Sequence, residues 1–216
     1  MTALTIEGIT PLIGANVHIA ADDVINEGIP SQILQALGTY NVLVFPRIHL
    51  SDEQFIALSN HLGEKEAVKA TADGSAQSDK GVYRISLDKD DKTQLEYVQG
   101  NDYWLMDGTS YKLSGKASLL KCESAPSEGG DTGFASLFAA FDALPQQTKQ
   151  QLAAMRVRHC LAAVGRKLYE QPTEDDYRRW DAVFPSTEHP LVWKQRDGRT
   201  SLLIGATADS IVGLPE

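Results

Sequence analysis

The sequence predicts a mostly β fold with flanking α-helices. Short apolar runs recur along the chain, with glycine, proline, asparagine or aspartate between them. Helical patterns that begin at capping residues separate some of these runs. The chain has 216 residues, of which 42% are hydrophobic and 23% are charged, as in an ordinary globular domain. We therefore predict that residues 1–216 form a single domain.

The N-terminal region predicts a strand, a helix and a second strand. Residues 4–9 and 16–20 are strand-like. A helix is expected to start near Pro30 and to end at Gly38, because glycine is common just after the last helical turn. Residues 40–45 carry mostly apolar and aromatic side chains and predict a fully buried strand.

The next helix begins with a capping box. The Ser51 hydroxyl can accept the backbone N–H of Gln54, while the Gln54 side chain reaches back to Ser51. Phe55 and Leu58 then lie on one helical face, and Gly63 is expected to end the helix. Residues 67–81 have no hydrophobic period and predict a surface loop, residues 82–87 predict a strand, and residues 95–98 lead into the next motif.

Side chains capable of chemistry concentrate in residues 101–136. Trp104 and Asp107 come first, and residues 117–122 form an apolar run that predicts a strand. A Gly-Gly-Asp-Thr turn follows at residues 129–132 and is expected to open a helix. Because turns on either side of a strand can present side chains together, we expect a functional site in residues 101–136.

The C-terminal half predicts three helices, a strand and a hairpin. Residues 135–144 show an aromatic stripe at helical spacing, which we assign to the core, and Pro145 begins a second helix. Residues 157–163 are strand-like, and Thr173 caps a third helix. The Asp-Gly pair at residues 197–198 lies between two alternating runs and predicts a β-hairpin with positive φ at both positions.

The stretch from Trp104 through the glycine turn resembles the TauD/TfdA family of non-haem Fe(II), 2-oxoglutarate-dependent oxygenases. The family's Trp-His-x-Asp element matches Trp104 and Asp107, with Leu105 in the place of the histidine, and the Gly-Gly-Asp-Thr turn matches residues 129–132. The resemblance implies a double-stranded β-helix, or jelly roll. It also implies oxidation of a small acidic substrate at Fe(II), with 2-oxoglutarate decarboxylated to succinate.

Three site residues follow from the resemblance alone. Asp107 would bind the iron, Thr132 would bind 2-oxoglutarate and Asn101 would contact the substrate; no catalytic residue is assigned. From the residues themselves, Asp107 can instead accept backbone N–H groups in an Asx-type turn. Thr132 can equally cap a helix that begins at Phe134.

Charge and motifs exclude several other functions. The formal net charge is −9, so the surface would repel nucleic acid and anionic membranes. No apolar stretch approaches the length of a membrane span, and a cytoplasmic location is expected. A Walker motif, a dinucleotide-binding glycine motif and a nucleophile elbow are all absent from the sequence.

The histidines and cysteines give no independent metal motif. The histidines are spread one per element, so a structural role is favoured for each, although His189 precedes a strand that borders the cavity in the family. Two buried, reduced thiols are expected at the cysteines. The residues concerned are His18, His49, His61, His159, His189, Cys122 and Cys160.

Two functions of different classes remain open. The first is a dioxygenase of this family, and the second is a non-catalytic relative that binds a small acid or a partner subunit without iron. The family's second histidine and its 2-oxoglutarate-binding arginine belong to a segment beyond Glu216, so the jelly roll is expected to be short at its C-terminus. A homo-oligomer or a completing partner chain would then cover the open sheet edge.

Overall fold

A computed structural model describes residues 4–64, 82, 85, 100 and 102–215. The chain divides into two compact units, the first of residues 1–66 and 116–136 and the second of residues 67–115 and 137–216. The expected loop at residues 67–81, the run at 95–98 and most of the expected strand at 82–87 lie outside the described residues. That residues 1–216 form one domain stays a prediction. Among the helices described, none is long and apolar enough to cross a membrane.

The first unit contains a three-stranded sheet. Strand β1 (Thr5–Gly8) pairs antiparallel with β2 (Ala15–His18), and β2 pairs in parallel with β3 (Leu43–Val44). The prediction of a fully buried strand at residues 40–45 is wrong, because only two of these residues pair and Val44 is exposed. In this sheet β3 is an edge strand bonded to β2 alone.

Helix α1 (Ile29–Tyr40) connects the parallel strands β2 and β3. Its predicted end at Gly38 is wrong, since the helix continues for two more residues. Asn41 instead ends it with a φ of 62°, and its N–H donates to the carbonyl of Leu37. Asparagine adopts this left-handed conformation more readily than most residues do, so it can take the position that glycine usually fills.

Helix α2 (Asp52–Leu62) begins with the predicted capping box. The Gln54 N–H donates to Ser51 Oγ over 3.2 Å, and the Ser51 N–H donates to Gln54 Oε1 over 2.9 Å. Gly63 ends the helix as predicted. The α2 face packs into the apolar core of this unit, whose buried members are Val24, Ile29, Ile33, Leu50 and Leu58.

Residues 116–121 attach to both ends of α2 and are not a strand, so the strand predicted at residues 117–122 is wrong. Lys116 Nζ donates to the carbonyl of Leu62 at the C-terminus of α2 over 3.2 Å. Lys121 pairs with Asp52 at the N-terminus. Hydrogen bonds that Lys121 donates to Asp52 and Glu123 raise its pKa. The segment is therefore held by its lysines instead of by a neighbouring strand.

The second unit contains a three-stranded antiparallel sheet and a hairpin. Strand β4 (Arg156–His159) is central, between β5 (Thr187–Pro190) and β8 (Ala208–Ile211). The hairpin pairs β6 (Val192–Lys194) with β7 (Thr200–Leu202). The strand expected at residues 157–163 is correct only as far as the end of β4, because a helix follows.

The predicted hairpin turn is confirmed, but its type is different. Gly198 has a φ of 89°, whereas Asp197 does not have a positive φ. The Gln195 N–H donates to the Arg199 carbonyl over 2.8 Å, and the Gly198 N–H donates to the Gln195 carbonyl over 3.1 Å. These bonds enclose a three-residue loop that needs only one left-handed residue, which here is the glycine.

Four of the described helices flank these strands. Helix α3 (Leu137–Asp142) contacts β7, and its aromatic stripe, predicted to be core, is half-buried. Helix α4 (Gln146–Leu152) follows Pro145 as predicted. Helices α5 (Ala162–Leu168) and α6 (Glu174–Val183) pack together, and Thr173 forms a capping box at the start of α6. The predicted mix of strands and flanking helices is confirmed, although the described helices contain more residues than the described strands.

Gly165 allows α5 and α6 to approach closely. A Cβ atom at this position would overlap the indole ring of Trp180, which is 6% exposed. By contrast, a Cβ atom at Gly38 in α1 would meet nothing within 4 Å. Both glycines are helical and neither has a positive φ.

Alanine at these two glycines should change stability in opposite directions. We expect Gly38→Ala to raise the free energy of unfolding by about 0.5–1 kcal/mol, because alanine loses less backbone entropy in a helix. Gly165→Ala should lower it by about 1–3 kcal/mol through overpacking against Trp180. Urea unfolding measures both, and a stabilising Gly165→Ala would show that the indole shifts without loss.

Candidate functional site

Asp107 lies on an exposed turn of the second unit. The turn covers residues 107–110 and depends on Gly108, whose φ is 78°. The Tyr111 N–H and the Ser114 hydroxyl both donate to the Gly108 carbonyl, over 3.1 and 3.0 Å. We call residues 104–110 the Asp107 loop. The turn is thus fixed locally, and Asp107 at its start is exposed.

The start of the Asp107 loop is held against residues 205–206. The Ala206 N–H donates to the Trp104 carbonyl over 2.8 Å. At Gly205, a Cβ atom would lie 3.0 Å from the backbone nitrogen of Met106, so a larger residue would push the two backbones apart. Glycine therefore allows the loop to lie directly on this segment.

The end of the loop is held by a buried cluster of two histidines and two threonines: His159, His189, Thr109 and Thr207. Thr109 Oγ1 lies 3.0 Å from Thr207 Oγ1, which lies 2.8 Å from His159 Nδ1. His189 Nε2 lies 3.1 Å from the carbonyl of Thr109 and, as an N–H, donates to it. We call these four residues the His–Thr cluster. Next to it, Thr187 Oγ1 donates to the Ser110 carbonyl over 3.0 Å.

The environment of His159 disfavours the protonated form of its imidazole. Its side chain is fully buried, and burial lowers its pKa from the ordinary value of 6.5. The neighbouring His189, at 5.8 Å between ring centroids, lowers the pKa further, and the backbone of Leu203 opposes the shift. Among the residues that the structure describes, His159 Nε2 has no hydrogen-bond partner of normal geometry. A proton there would add a buried charge without a compensating carboxylate.

A cleft in the second unit has a volume of about 830 Å³. Asp209 lies in its wall, pairs with Arg166 and lies 3.3 Å from Arg158. Burial raises the pKa of Asp209, but the two arginines more than offset this effect and the pKa is lowered. The Cys160 thiol also lines the cleft, and burial raises its pKa. Cys122, which was predicted to be buried, is exposed.

Comparison with known proteins identifies the family. The model of the "Taurine catabolism dioxygenase TauD, TfdA family" matches residues 5–216. The chain belongs to the TauD/TfdA family. This confirms the resemblance that was drawn from Trp104, Asp107 and the glycine turn.

Two curated TauD/TfdA relatives show how much of the family this chain represents. It is 36% identical over 181 residues to the (S)-phenoxypropionate/alpha-ketoglutarate-dioxygenase of Sphingobium herbicidovorans, covering 81% of this chain and 61% of the relative. It is 28% identical over 194 residues to the alpha-ketoglutarate-dependent 2,4-dichlorophenoxyacetate dioxygenase of Cupriavidus pinatubonensis, covering 85% and 67%. The chain thus spans 61% of the length of the first of these relatives.

A solved structure of the TauD type shows the same fold. The crystal structure of AAD-2 in complex with Mn(II) and N-oxalylglycine superposes with a TM-score of 0.77 at 22% sequence identity, covering 99% of this chain and 73% of that one. Dioxygenases of this type have a jelly-roll fold. That the sheets described above close into one jelly roll stays a prediction.

The structure describes two of the three site residues that were expected from the family. Asp107 lies in the second unit, as described above. Thr132 is exposed in the first unit, shortly after Gly129 and Gly130, whose φ angles are 71° and 74°. The predicted capping role of Thr132 is wrong, because the next helix begins only at Leu137. Asn101 lies outside the described residues.

The residues that the structure describes do not fit a complete iron site. A TauD/TfdA iron centre needs two imidazoles and one carboxylate, and Leu105 has no lone pair to offer in the histidine position. All five histidines are described, yet no three His, Cys, Asp or Glu side chains within the described ranges are grouped to hold a metal ion. Asp107 is the one ligand that the family pattern assigns among them.

The His–Thr cluster was missed by sequence reasoning. The two histidines are thirty residues apart and neither belongs to a ligand motif. Only the strand register brings them together, since Val157 pairs with His189 and His159 pairs with Thr187. Two signals were available in the sequence. His159 lies inside an apolar run and His189 precedes another, and a structural role was favoured for each. Hydrogen-bonded, buried histidines are what the structure shows.

Stability should fall with pH below about 6.5 because of His159. Its folded pKa is lowered, so the unfolded chain binds the proton more readily and protonation favours unfolding. We expect His159→Gln to show a smaller loss of melting temperature than the parent chain between about pH 7.5 and about pH 5.5. His18→Gln, at an exposed position, is the control and should keep the parent slope. Equal slopes in all three proteins would contradict the prediction.

Proposed function

We propose that this chain acts in an Fe(II)- and 2-oxoglutarate-dependent dioxygenase that oxidises a small carboxylic acid of the aryloxyalkanoate class. Membership of the TauD/TfdA family and the names of its phenoxypropionate and phenoxyacetate relatives support the reaction and substrate class. The observation that carries the proposal is the Asp107 carboxylate, which is exposed on a loop fixed at both ends.

The surroundings of Asp107 suit an aryl group. Trp104 and Leu105 precede it and are 67% and 48% exposed. Ile204, next to the Gly205 that contacts the loop, is 41% exposed. On this proposal the aryl part of the acid packs on these apolar side chains, and the residues orient the substrate beside the carboxylate. Exposed apolar patches of this kind commonly mark binding surfaces.

On this proposal Asp107 would bind the iron, Thr132 would contact 2-oxoglutarate and Asn101 would contact the substrate. When bound, iron with 2-oxoglutarate supplies the oxygen activation. The described residues do not complete the ligand set, so the other ligands come from groups beyond them. A completing partner chain or a second copy of this chain is one source.

Succinate formation tests the dioxygenase. If a second copy of the chain completes the ligand set, the 216-residue chain with Fe(II), ascorbate, 2-oxoglutarate and (S)-2-phenoxypropionate should release succinate only when the acid is present. Asp107→Asn should reduce this rate by about 100-fold or more, because a neutral amide is a poor ligand for Fe(II). Asp102→Asn, an exposed carboxylate outside the Asp107 loop, is the matched control and should keep the parent rate. Full activity of Asp107→Asn would refute the assignment.

The incomplete ligand set favours a second candidate, a non-catalytic relative that binds the acid without iron. In that case calorimetry would detect binding of (S)-2-phenoxypropionate, and neither Fe(II) nor Asp107→Asn would change the affinity. Succinate would not form. The two functions therefore differ in both the metal dependence of binding and the product.

Position 105 offers a separate test of the metal site. We expect Leu105→His to raise Fe(II) affinity by about tenfold or more, because it places an imidazole two residues before Asp107. Leu105→Gln is the control for a polar side chain that is a poor iron ligand. Anaerobic equilibrium dialysis gives the affinities, and equal values for the three proteins would show that this position is not a vacated ligand site.

A further inference from the structure

We propose that Thr207 is a positioning residue whose hydroxyl, oriented by His159, holds the Asp107 loop in place. The functional consequence rests on the dioxygenase proposed above, in which the loop carries an iron ligand. The positioning itself depends only on contacts within the second unit.

The Thr207 hydroxyl connects the loop to the centre of the sheet. Its oxygen lies 3.0 Å from Thr109 Oγ1 on the loop and 2.8 Å from His159 Nδ1 on β4. All three side chains are buried, with Thr109 and His159 at 1% and 0% exposed. Water therefore does not compete for these bonds. A hydroxyl can donate to one neighbour and accept from the other, so both neutral tautomers of His159 keep the chain of hydrogen bonds intact.

The backbone of Thr207 is itself anchored. The Cys160 N–H, directly after β4, donates to the Thr207 carbonyl over 2.9 Å. Thr207 thus has its backbone fixed to the central strand and its side chain fixed to the loop. The two preceding residues, Gly205 and Ala206, contact the other end of the loop. Three consecutive residues therefore set the position of the Asp107 loop at separate points.

The alternative is that Thr207 merely fills space in the core. Valine distinguishes the two roles, because it has nearly the same shape as threonine but replaces the hydroxyl by a methyl group. Thr207→Val would leave Thr109 Oγ1 and His159 Nδ1 buried without this partner. Thr207→Ser keeps the hydroxyl and removes only the methyl group. Positioning by the hydroxyl therefore predicts a large effect of valine and rescue by serine.

Two backbone amides report whether the loop is seated. The Ala206 N–H is bonded to the Trp104 carbonyl, and the Tyr111 N–H is bonded to the Gly108 carbonyl. The Leu191 N–H, bonded to the Met155 carbonyl over 2.9 Å, serves as a reference within the same unit. Hydrogen exchange at these amides, followed by NMR on the 216-residue chain, needs neither metal nor substrate.

We expect Thr207→Val to accelerate exchange at Ala206 and Tyr111 by about fivefold or more relative to Leu191, as a local opening would. Thr207→Ser should stay within about twofold of the parent chain. The matched control is Thr173→Val, which removes the capping hydroxyl of α6 and does not alter the Asp107 loop. It should leave the exchange rates at Ala206 and Tyr111 unchanged. Equal acceleration of all three amides in Thr207→Val, or no acceleration, would overturn the proposal.

Turnover separates this inference from the proposed function. If the parent chain forms succinate, Thr207→Val should lower kcat at a temperature where it stays folded, and Thr207→Ser should restore it. If the parent chain forms none, the dioxygenase proposal fails, and the exchange data still decide whether Thr207 positions the loop.

Discussion

The second unit depends on buried polar side chains that hydrogen-bond to one another and to the Asp107 loop. The buried side chains of His159 and Thr207 share one hydrogen bond. Thr207 is also bonded to Thr109, and His189 is bonded to the Thr109 carbonyl, so these bonds reach the Asp107 loop. In a medium of low polarity such bonds are strong when complete and costly when broken. Buried hydrogen bonds therefore fix the position of the Asp107 loop, although Asp107 itself is exposed.

Local sequence signals predicted local structure well. The capping boxes at Ser51 and Thr173 and the glycine hairpin turn are confirmed, because each depends on side chains only a few residues apart. Errors arose where tertiary contacts decide. Gly38 lies inside a helix that Asn41 ends, and residues 117–122 looked like a strand, but Lys121 and Lys116 attach this segment to α2.

The site was predictable only in part, and for the same reason. The family pattern singled out Asp107 and showed that Leu105 replaces a histidine, and the residues around Asp107 favoured a turn, since all of these are statements about neighbouring residues. The His–Thr cluster joins residues from β4, β5 and two loops, and no spacing in the sequence brings those together. Thr132 was expected to cap a helix because it ends the Gly-Gly-Asp-Thr turn, but the chain between it and Leu137 is not helical.

Two kinds of interaction hold the first unit together, namely its apolar core and the lysine bonds that attach residues 116–121 to α2. Dissolved salts affect the two differently. Its core of Ile33, Leu58 and their neighbours is apolar, and kosmotropic salts strengthen such burial. The bonds of Lys116 and Lys121 to the ends of the helix are electrostatic, and dissolved ions screen them. Raising the ionic strength is therefore expected to weaken the lysine bonds of residues 116–121, while the packing of Leu119 against the core is not weakened. The ionic composition around the protein thus changes how tightly the segment that leads to the Gly-Gly-Asp-Thr turn is tethered.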